Sequence, residues 1–196
     1  ITNMSLREIL LKEVYNGMEG KNGSIPFPLT KLDNYLEIAK NTNYLLVGDT
    51  GSGKSSIAQD MILNILNWYY KYKTEDIKLS IIYFGMERKQ YMYSAKWVSR
   101  MIFENEGILI PSKKILGRKR VEGEVIKLTP EELKLVEKYS EIFDMWEKDD
   151  TFLCIEGTHN PTGIKIFIDE FAKRNGKTSP RKEGALEKST YIPNHP

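Results

Sequence analysis

The stretch "GDTGSGKS", Gly48 to Ser55, stands between an apolar run, "NYLLVG", and a long amphipathic pattern that begins at Lys54. It fits G-x-x-x-x-G-K-[ST], the pattern of a phosphate-binding loop. The chemistry asks for these residue types. Gly48, Gly51 and Gly53 let the backbone turn tightly and present amide N–H groups to phosphate oxygens. Lys54 brings a mobile positive charge to the β- and γ-phosphates, and the Ser55 hydroxyl suits Mg²⁺. A helix starting here adds its positive dipole end. Asp49, Thr50, Ser52 and Ser56 complete the stretch expected to touch nucleotide. A glycine-rich turn by chance is the competing reading. The apolar strand before the loop and the strong helix after it argue against that, so ATP and Mg²⁺ are the expected ligands.

The rest of the chain alternates between helical and strand periodicity. Residues 4–16 predict a helix, with Ser5 and Glu8 as a capping box and Leu6, Ile9, Leu10 and Val14 on one face. A Gly-rich linker closed by Pro26 and Pro28 follows, then a short helical stretch near "LTKLDNYLEIA". Residues 43–48 read as a strand and 54–72 as a helix with Ile57, Met61, Ile62 and Ile65 in helical register. A second strand at 77–87 precedes a second long helix at 89–107. The basic segment 108–128, broken by Pro111, Gly117 and Gly123, reads as a loop or small insertion. Thr129 and Glu132 make another capping box, with Pro130 at the first helical position, before a helix burying Leu133, Val136, Ile142, Phe143 and Trp146. A third strand at 151–157 follows. Three spans result: an entry helix and linker over 1–28, an α/β ATPase region with a mainly parallel sheet over 29–174, and a mobile or disordered tail over 175–196.

Two acidic positions bear on catalysis. Glu87 ends the strand after the loop helix, where a carboxylate can orient or deprotonate a water attacking the γ-phosphate. The same residue also reads as a solvated glutamate before Arg88 and Lys89. The second position lies in "GIKIFIDEFAKRNG", residues 163–176. As a strand it would end in Asp169, as an acidic metal-holding strand does. As a helix it places Ile164, Phe167, Ile168 and Phe171 on one face. The ends decide for the helix: Asn160 suits the N-cap, Pro161 the first turn, Lys173 and Arg174 the last turn, and Gly176 the stop. Asp169 and Glu170 then lie on its solvated face.

This order of features resembles the ATPase domain of DnaB-like replicative helicases, of the RecA-like class, from about Gly17 to about Arg174. "PLTKLDNYLE" is similar to that family's T-x-x-x-L-D segment, with Leu32 and Asp33 matching. "NYLLVGDTGSGKSSIAQDMILNI" is similar to its P-loop strand and helix. "IIYFGMERKQYMYSAKWVSRM" resembles its second strand, which ends F-S-L-E-M, although Gly85 and Met86 replace Ser-Leu and Arg88 replaces Met. "TFLCIEGTHNPTGIKIFIDEFAKR" is similar to the next strand and helix. The resemblance implies a RecA-like P-loop NTPase core, Glu87 and Lys54 as catalytic residues, single-stranded DNA as a partner and a homo-hexameric ring. It also implies that the acidic Walker B strand, the DNA loops and the arginine acting between subunits lie beyond Pro196, so the fragment alone is expected to be inactive. The expected function is ATP binding for a helicase that couples hydrolysis to duplex unwinding. Another RecA-like ATPase, a recombinase or a KaiC-like protein, and a nucleotide-binding assembly module without turnover are the other readings.

Composition sets limits on partners. With 29 basic and 27 acidic residues, any nucleic-acid surface has to be a local patch. "GRKR", 117–120, is such a run, though a solvated loop is the plainer reading, as helix packing is for "NWYYKYK", 67–73. His159 reads as a loop histidine. The single cysteine, Cys154, excludes an intrachain disulfide and reads as a small buried thiol. No apolar run approaches the roughly 18 residues that span a bilayer. The chain opens on Ile1, as a processed or excised piece would, without a signal peptide. The expected compartment is the cytoplasm, or the host cytoplasm if the chain is phage-encoded.

Overall fold

The computed structural model describes residues 5–19, 25–39, 42–72, 78–85, 89–157, 160–178 and 191–193. Helix starts lie where the capping residues put them. The Ser5 hydroxyl accepts the Glu8 N–H while the Glu8 carboxylate accepts the Ser5 N–H, and α1 (Leu6–Met18) follows. Its predicted apolar face is solvent-exposed, Leu6 to 86% and Leu10 to 62%. The chain divides into two units, Ile1–Trp68 and Tyr69–Pro196, and the division falls inside α2 (Lys54–Tyr72).

In the first unit, β1 (Ile25–Pro26) and β2 (Glu37–Ile38) pair antiparallel around a turn-rich stretch, 29–35. That stretch is not the short helix expected from its sequence. Its bonds are single turns, Leu32 N–H to Leu29 C=O and Leu36 N–H to Leu32 C=O, and the Asp33 carboxylate accepts the Phe27 N–H at 2.8 Å. The Asn64 amide donates to Pro28 C=O at 2.7 Å, which fixes α2 against this turn. On α2 the fully buried residues are Gln59, Leu63, Leu66 and Tyr69; the expected stripe through Ile57, Met61, Ile62 and Ile65 lies beside them and is only half-buried or exposed.

The expected strand at 43–48 is absent. Residues 42–49 have no regular structure, with Leu45 exposed to 88% and Val47 to 77%. An apolar run becomes a strand only by pairing, and no described strand pairs with this one.

The second unit carries the parallel sheet. β3 (Ile81–Gly85) pairs with β6 (Phe152–Glu156) from Ile81 opposite Phe152 to Gly85 opposite Glu156. A parallel pair needs a long crossover. Here it contains α3 (Gln90–Glu106), α4 (Ser112–Ile115), the hairpin β4–β5 (Arg120–Val121, Glu124–Val125) and α5 (Pro130–Lys148). Segment 108–128, expected as a loop or small insertion, is thus a small insertion with a helical turn and a hairpin. Glu122 and Gly123 both have positive φ, 51° and 89°, which makes the two-residue turn of a tight hairpin. Trp97 on α3, Phe143 and Trp146 on α5, and Phe152 on β6 form an aromatic core with ring centroids 5.2–6.5 Å apart. Leu133, expected in that core, is 46% exposed.

Residues 163–176 do form a helix, α6 (Pro161–Asn175), with the Asn160 side chain accepting the Gly163 N–H. Gly176 does not cap it in a left-handed conformation. It is extended and begins β7 (Gly176–Thr178), which pairs antiparallel with β8 (Tyr191–Pro193). The span expected to be a disordered tail thus contains a two-stranded ladder. Among the described residues, no helix is long and apolar enough to cross a membrane.

Candidate nucleotide site and the carboxyl edge of the sheet

The phosphate-loop residues lie in the first unit. Gly51 and Gly53 adopt φ of 82° and 90°, the left-handed region that glycine alone enters at no steric cost. At Gly48 a Cβ would sit 2.7 Å from the Ser52 hydroxyl, so a side chain there would make that hydroxyl turn away. Ser52 N–H donates to Asp49 C=O, and Ser56 and Ile57 N–H donate to Gly53 C=O, so the turn runs directly into α2. Lys54 is the first residue of that helix. Its ammonium donates to the carbonyls of Gly48 and Asp49, both at 2.6 Å, and closes the loop into a ring. Two of its three donors are thereby satisfied.

Around this ring Asp49, Thr50, Gly51, Ser52, Ser55 and Ser56 are exposed, and Gly53 and Lys54 are half-buried. Of the first-turn N–H groups of α2, those of Ser56 and Ile57 are taken by Gly53 C=O, and those of Lys54 and Ser55 have no carbonyl of the helix within reach. Glycine-rich backbone, a helix start and an ammonium in one loop are the chemistry that suits an anion, so the residues present fit a nucleotide phosphate. Ser55, directly after the lysine, offers the hydroxyl oxygen that a phosphate-bound Mg²⁺ takes. Ahead of the loop, the Tyr44 hydroxyl donates to Glu37 C=O and accepts the Ala39 N–H, anchoring the irregular lead-in to β2.

In the second unit, the carboxyl ends of β3 and β6 lie side by side. Glu87 falls outside the described residues, as does His159. β3 ends two residues before Glu87, and α3 begins three residues after it. Glu156, which the sequence reading passed over, ends β6 opposite Gly85. Its carboxylate accepts the Gln90 N–H and lies 3.6 Å from the Lys89 ammonium. It thus caps α3 from another strand, where Lys89 itself gives no side-chain cap. The available signal was positional: "TFLCIE" ends in glutamate just as "SIIYFGME" does.

Asp169 and Glu170 are exposed on α6, and among the described residues no cluster of acidic, histidine or cysteine side chains could hold a metal. An open groove of about 410 Å³ along α6, lined by Phe167, Glu170, Phe171, Lys173 and Arg174, includes none of the loop residues. Burial pushes the Cys154 thiol up to about 11, helped by the nearby Glu156 charge, so this cysteine is a packed side chain and not a nucleophile.

A phosphate loop opening a helix in one unit, and an α/β arrangement with parallel strands in the other, define the class: a RecA-like P-loop NTPase fold. Residues 14–109 match the model of the FtsK/SpoIIIE family, just under half of the chain. The matched stretch includes the whole phosphate loop, β3 and α3. It supports a P-loop ATPase, and it differs from the DnaB-like resemblance drawn from the order of features. No curated protein and no solved structure matches the chain.

Proposed function

We propose that this chain is the nucleotide-binding part of an ATP-driven motor that moves along DNA in the cytoplasm. The observation that carries the reading is the ring of residues 48–54, with its two left-handed glycines and its ammonium already inside the loop. We take the ATPase region as residues 29–174, and the FtsK/SpoIIIE match supports DNA as the track.

The loop amides and the start of α2 hold the β- and γ-phosphates. Lys54 exchanges its two carbonyl partners for phosphate oxygens as nucleotide enters, so it neutralises charge without a large movement. Ser55 would hold Mg²⁺, which when bound would screen the phosphate charge. Glu87, two residues past β3, orients the attacking water, and Glu156 holds the α3 end of the same connection through Gln90 and Lys89.

A second reading, duplex unwinding by a DnaB-like hexameric ring, draws on the order of features and on Asp33. That residue ties the segment resembling T-x-x-x-L-D to Phe27. Displacement of a strand from a forked duplex by the full-length protein supports unwinding. Movement along intact duplex without displacement supports translocation.

The binding test is thermal. Saturating Mg-ATP raises the melting temperature of the wild type, and Lys54→Ala removes most of that rise. Equal shifts in both proteins would refute the assignment. In the full-length protein, Glu87→Gln keeps the ATP-induced shift and loses about 10²-fold or more in turnover. Binding without turnover in the wild type would leave a nucleotide-dependent assembly module in place of a motor.

A further inference from the structure

The segment from α4 to β5 is built as a basic platform. It carries Lys113, Lys114, Arg118, Lys119 and Arg120, with Lys127 two residues past β5, against Glu122 and Glu124. Two of the cations are engaged with the body of the unit. Lys114 pairs with Glu132 at 2.5 and 2.6 Å, and Lys119 is half-buried and close enough to Glu132 to help lower its pKa. Arg118, Arg120, Lys113 and Lys127 are exposed.

The hairpin register separates these roles. Arg120 pairs with Val125 on one face of the ribbon, and Val121 with Glu124 on the other. Alternation assigns Arg118 and Lys127 to the Arg120 face and Lys119 to the opposite one. The backbone is held firmly enough to present that face. Arg118 and Lys119 N–H donate to Lys113 C=O, Ile126 N–H donates to Lys119 C=O, and the Arg120 guanidinium donates to the tip carbonyl of Gly123 at 3.1 Å.

An aromatic ring completes the platform. The Arg118 guanidinium donates to the Tyr91 hydroxyl at 2.7 Å and lies 5.4 Å from the Tyr91 ring centroid. Tyr91 is 46% exposed, one residue into α3 from the Gln90–Glu156 cap. Planar guanidiniums match phosphate oxygens, and an exposed ring beside them offers a stacking face to an unpaired base. An acidic protein partner would use the charges but would have no use for the open ring. The two tip glutamates direct the contact to the base of the hairpin.

We propose that the β4–β5 hairpin, through Arg118, Arg120 and Lys127 with Tyr91, is a single-stranded DNA contact surface. This rests on the DNA-motor reading above and adds the surface that reading lacks. Each phosphate contact contributes about 0.7 to the slope of log affinity against log salt on a single strand.

The test is fluorescence anisotropy of labelled oligothymidylate on the whole 196-residue chain, across a salt series. Arg118→Ala/Arg120→Ala is expected to lower the slope by about 1.4. Tyr91→Leu is expected to weaken binding about 10-fold with little change in slope. Lys127→Ala reads the charge at a position outside the ladder. The Mg-ATP thermal shift should be the same in all variants, which shows that they are folded. A wild type that binds neither oligothymidylate nor duplex DNA removes the DNA-motor reading together with this surface, whereas one that binds duplex DNA alone overturns this surface and leaves the motor reading standing. A wild type that binds, with variants of unchanged affinity and slope, overturns the hairpin assignment alone. Equal binding of duplex DNA or of polyglutamate, with Tyr91→Leu having no effect, also overturns it, because the surface is then only a cationic patch.

Discussion

Asp150 occupies a position that glycine usually fills. It follows the C-cap of α5 with φ of 52°. Asp150 N–H donates to Glu147 C=O and Thr151 N–H to Trp146 C=O, the paired bonds that close a helix through a left-handed residue. An L side chain in this region costs roughly 1 kcal/mol, somewhat less for Asp, which favours it among non-glycine residues. Asp150→Gly should therefore raise stability by up to about 1 kcal/mol, or a few degrees in melting temperature. A lower melting temperature would mean that the carboxylate contributes more than the strain costs. The sequence "KDDT" gives no sign of this turn, because a left-handed aspartate looks like any polar loop residue. The phosphate loop was legible because its glycines are needed for the same conformational reason and stand in a recognisable spacing. Glu156 was not, since its role comes from the β3–β6 register and not from its neighbours in the chain.

Among the secondary-structure elements, caps were more informative than stripes. Ser5, Thr129 and Asn160 each accept the N–H three residues on, and each helix starts where its cap predicts. Those bonds are local, so they can be read from sequence. The burial of a stripe depends on what packs over it. On α6, Ile164, Phe167 and Phe171 are half-buried as expected, with the Phe167 ring edge-on to Phe84 of β3 at 5.9 Å. Ile168, expected on the buried stripe, is 45% exposed. Phe167→Ala should cost about 2 kcal/mol, below the range for a fully buried phenylalanine. Asp169→Asn should stay within about 0.5 kcal/mol and leave ATP turnover of the full-length protein intact. If Asp169→Asn stops turnover in a stable protein, Asp169 has a catalytic role that its exposed position on α6 does not explain.

For the whole molecule, the apolar core is unevenly distributed. Tyr93, Trp97, Val98, Met101, Ile102, Ile110, Trp146 and Phe152 are all buried in the second unit, which holds the aromatic cluster and the parallel strands. In the first unit Phe27, Leu63 and Leu66 are the buried apolar side chains of more than small size among the described residues. α1 buries none of its thirteen residues, a length at which an isolated helix is marginal in water, roughly 12–15 residues being needed. The apolar lead-in to the phosphate loop is exposed and has no strand partner among the described residues. Sequence patterning predicted apolar segments in both units alike, because it records which residues could be buried and not whether a partner covers them. Amide hydrogen exchange should separate the two cases. Residues 93–102 of α3 and 152–156 of β6 should exchange with the slowest phase, governed by global unfolding. Amides of α1 and of 43–48 should exchange far faster, near the rates of local fraying. Mg-ATP should slow exchange at 48–57, where the loop amides take phosphate, while leaving α1 unchanged. Protection of α1 equal to that of α3 in the nucleotide-free chain would show that its exposed leucines are covered in solution, and would contradict this ordering of stability.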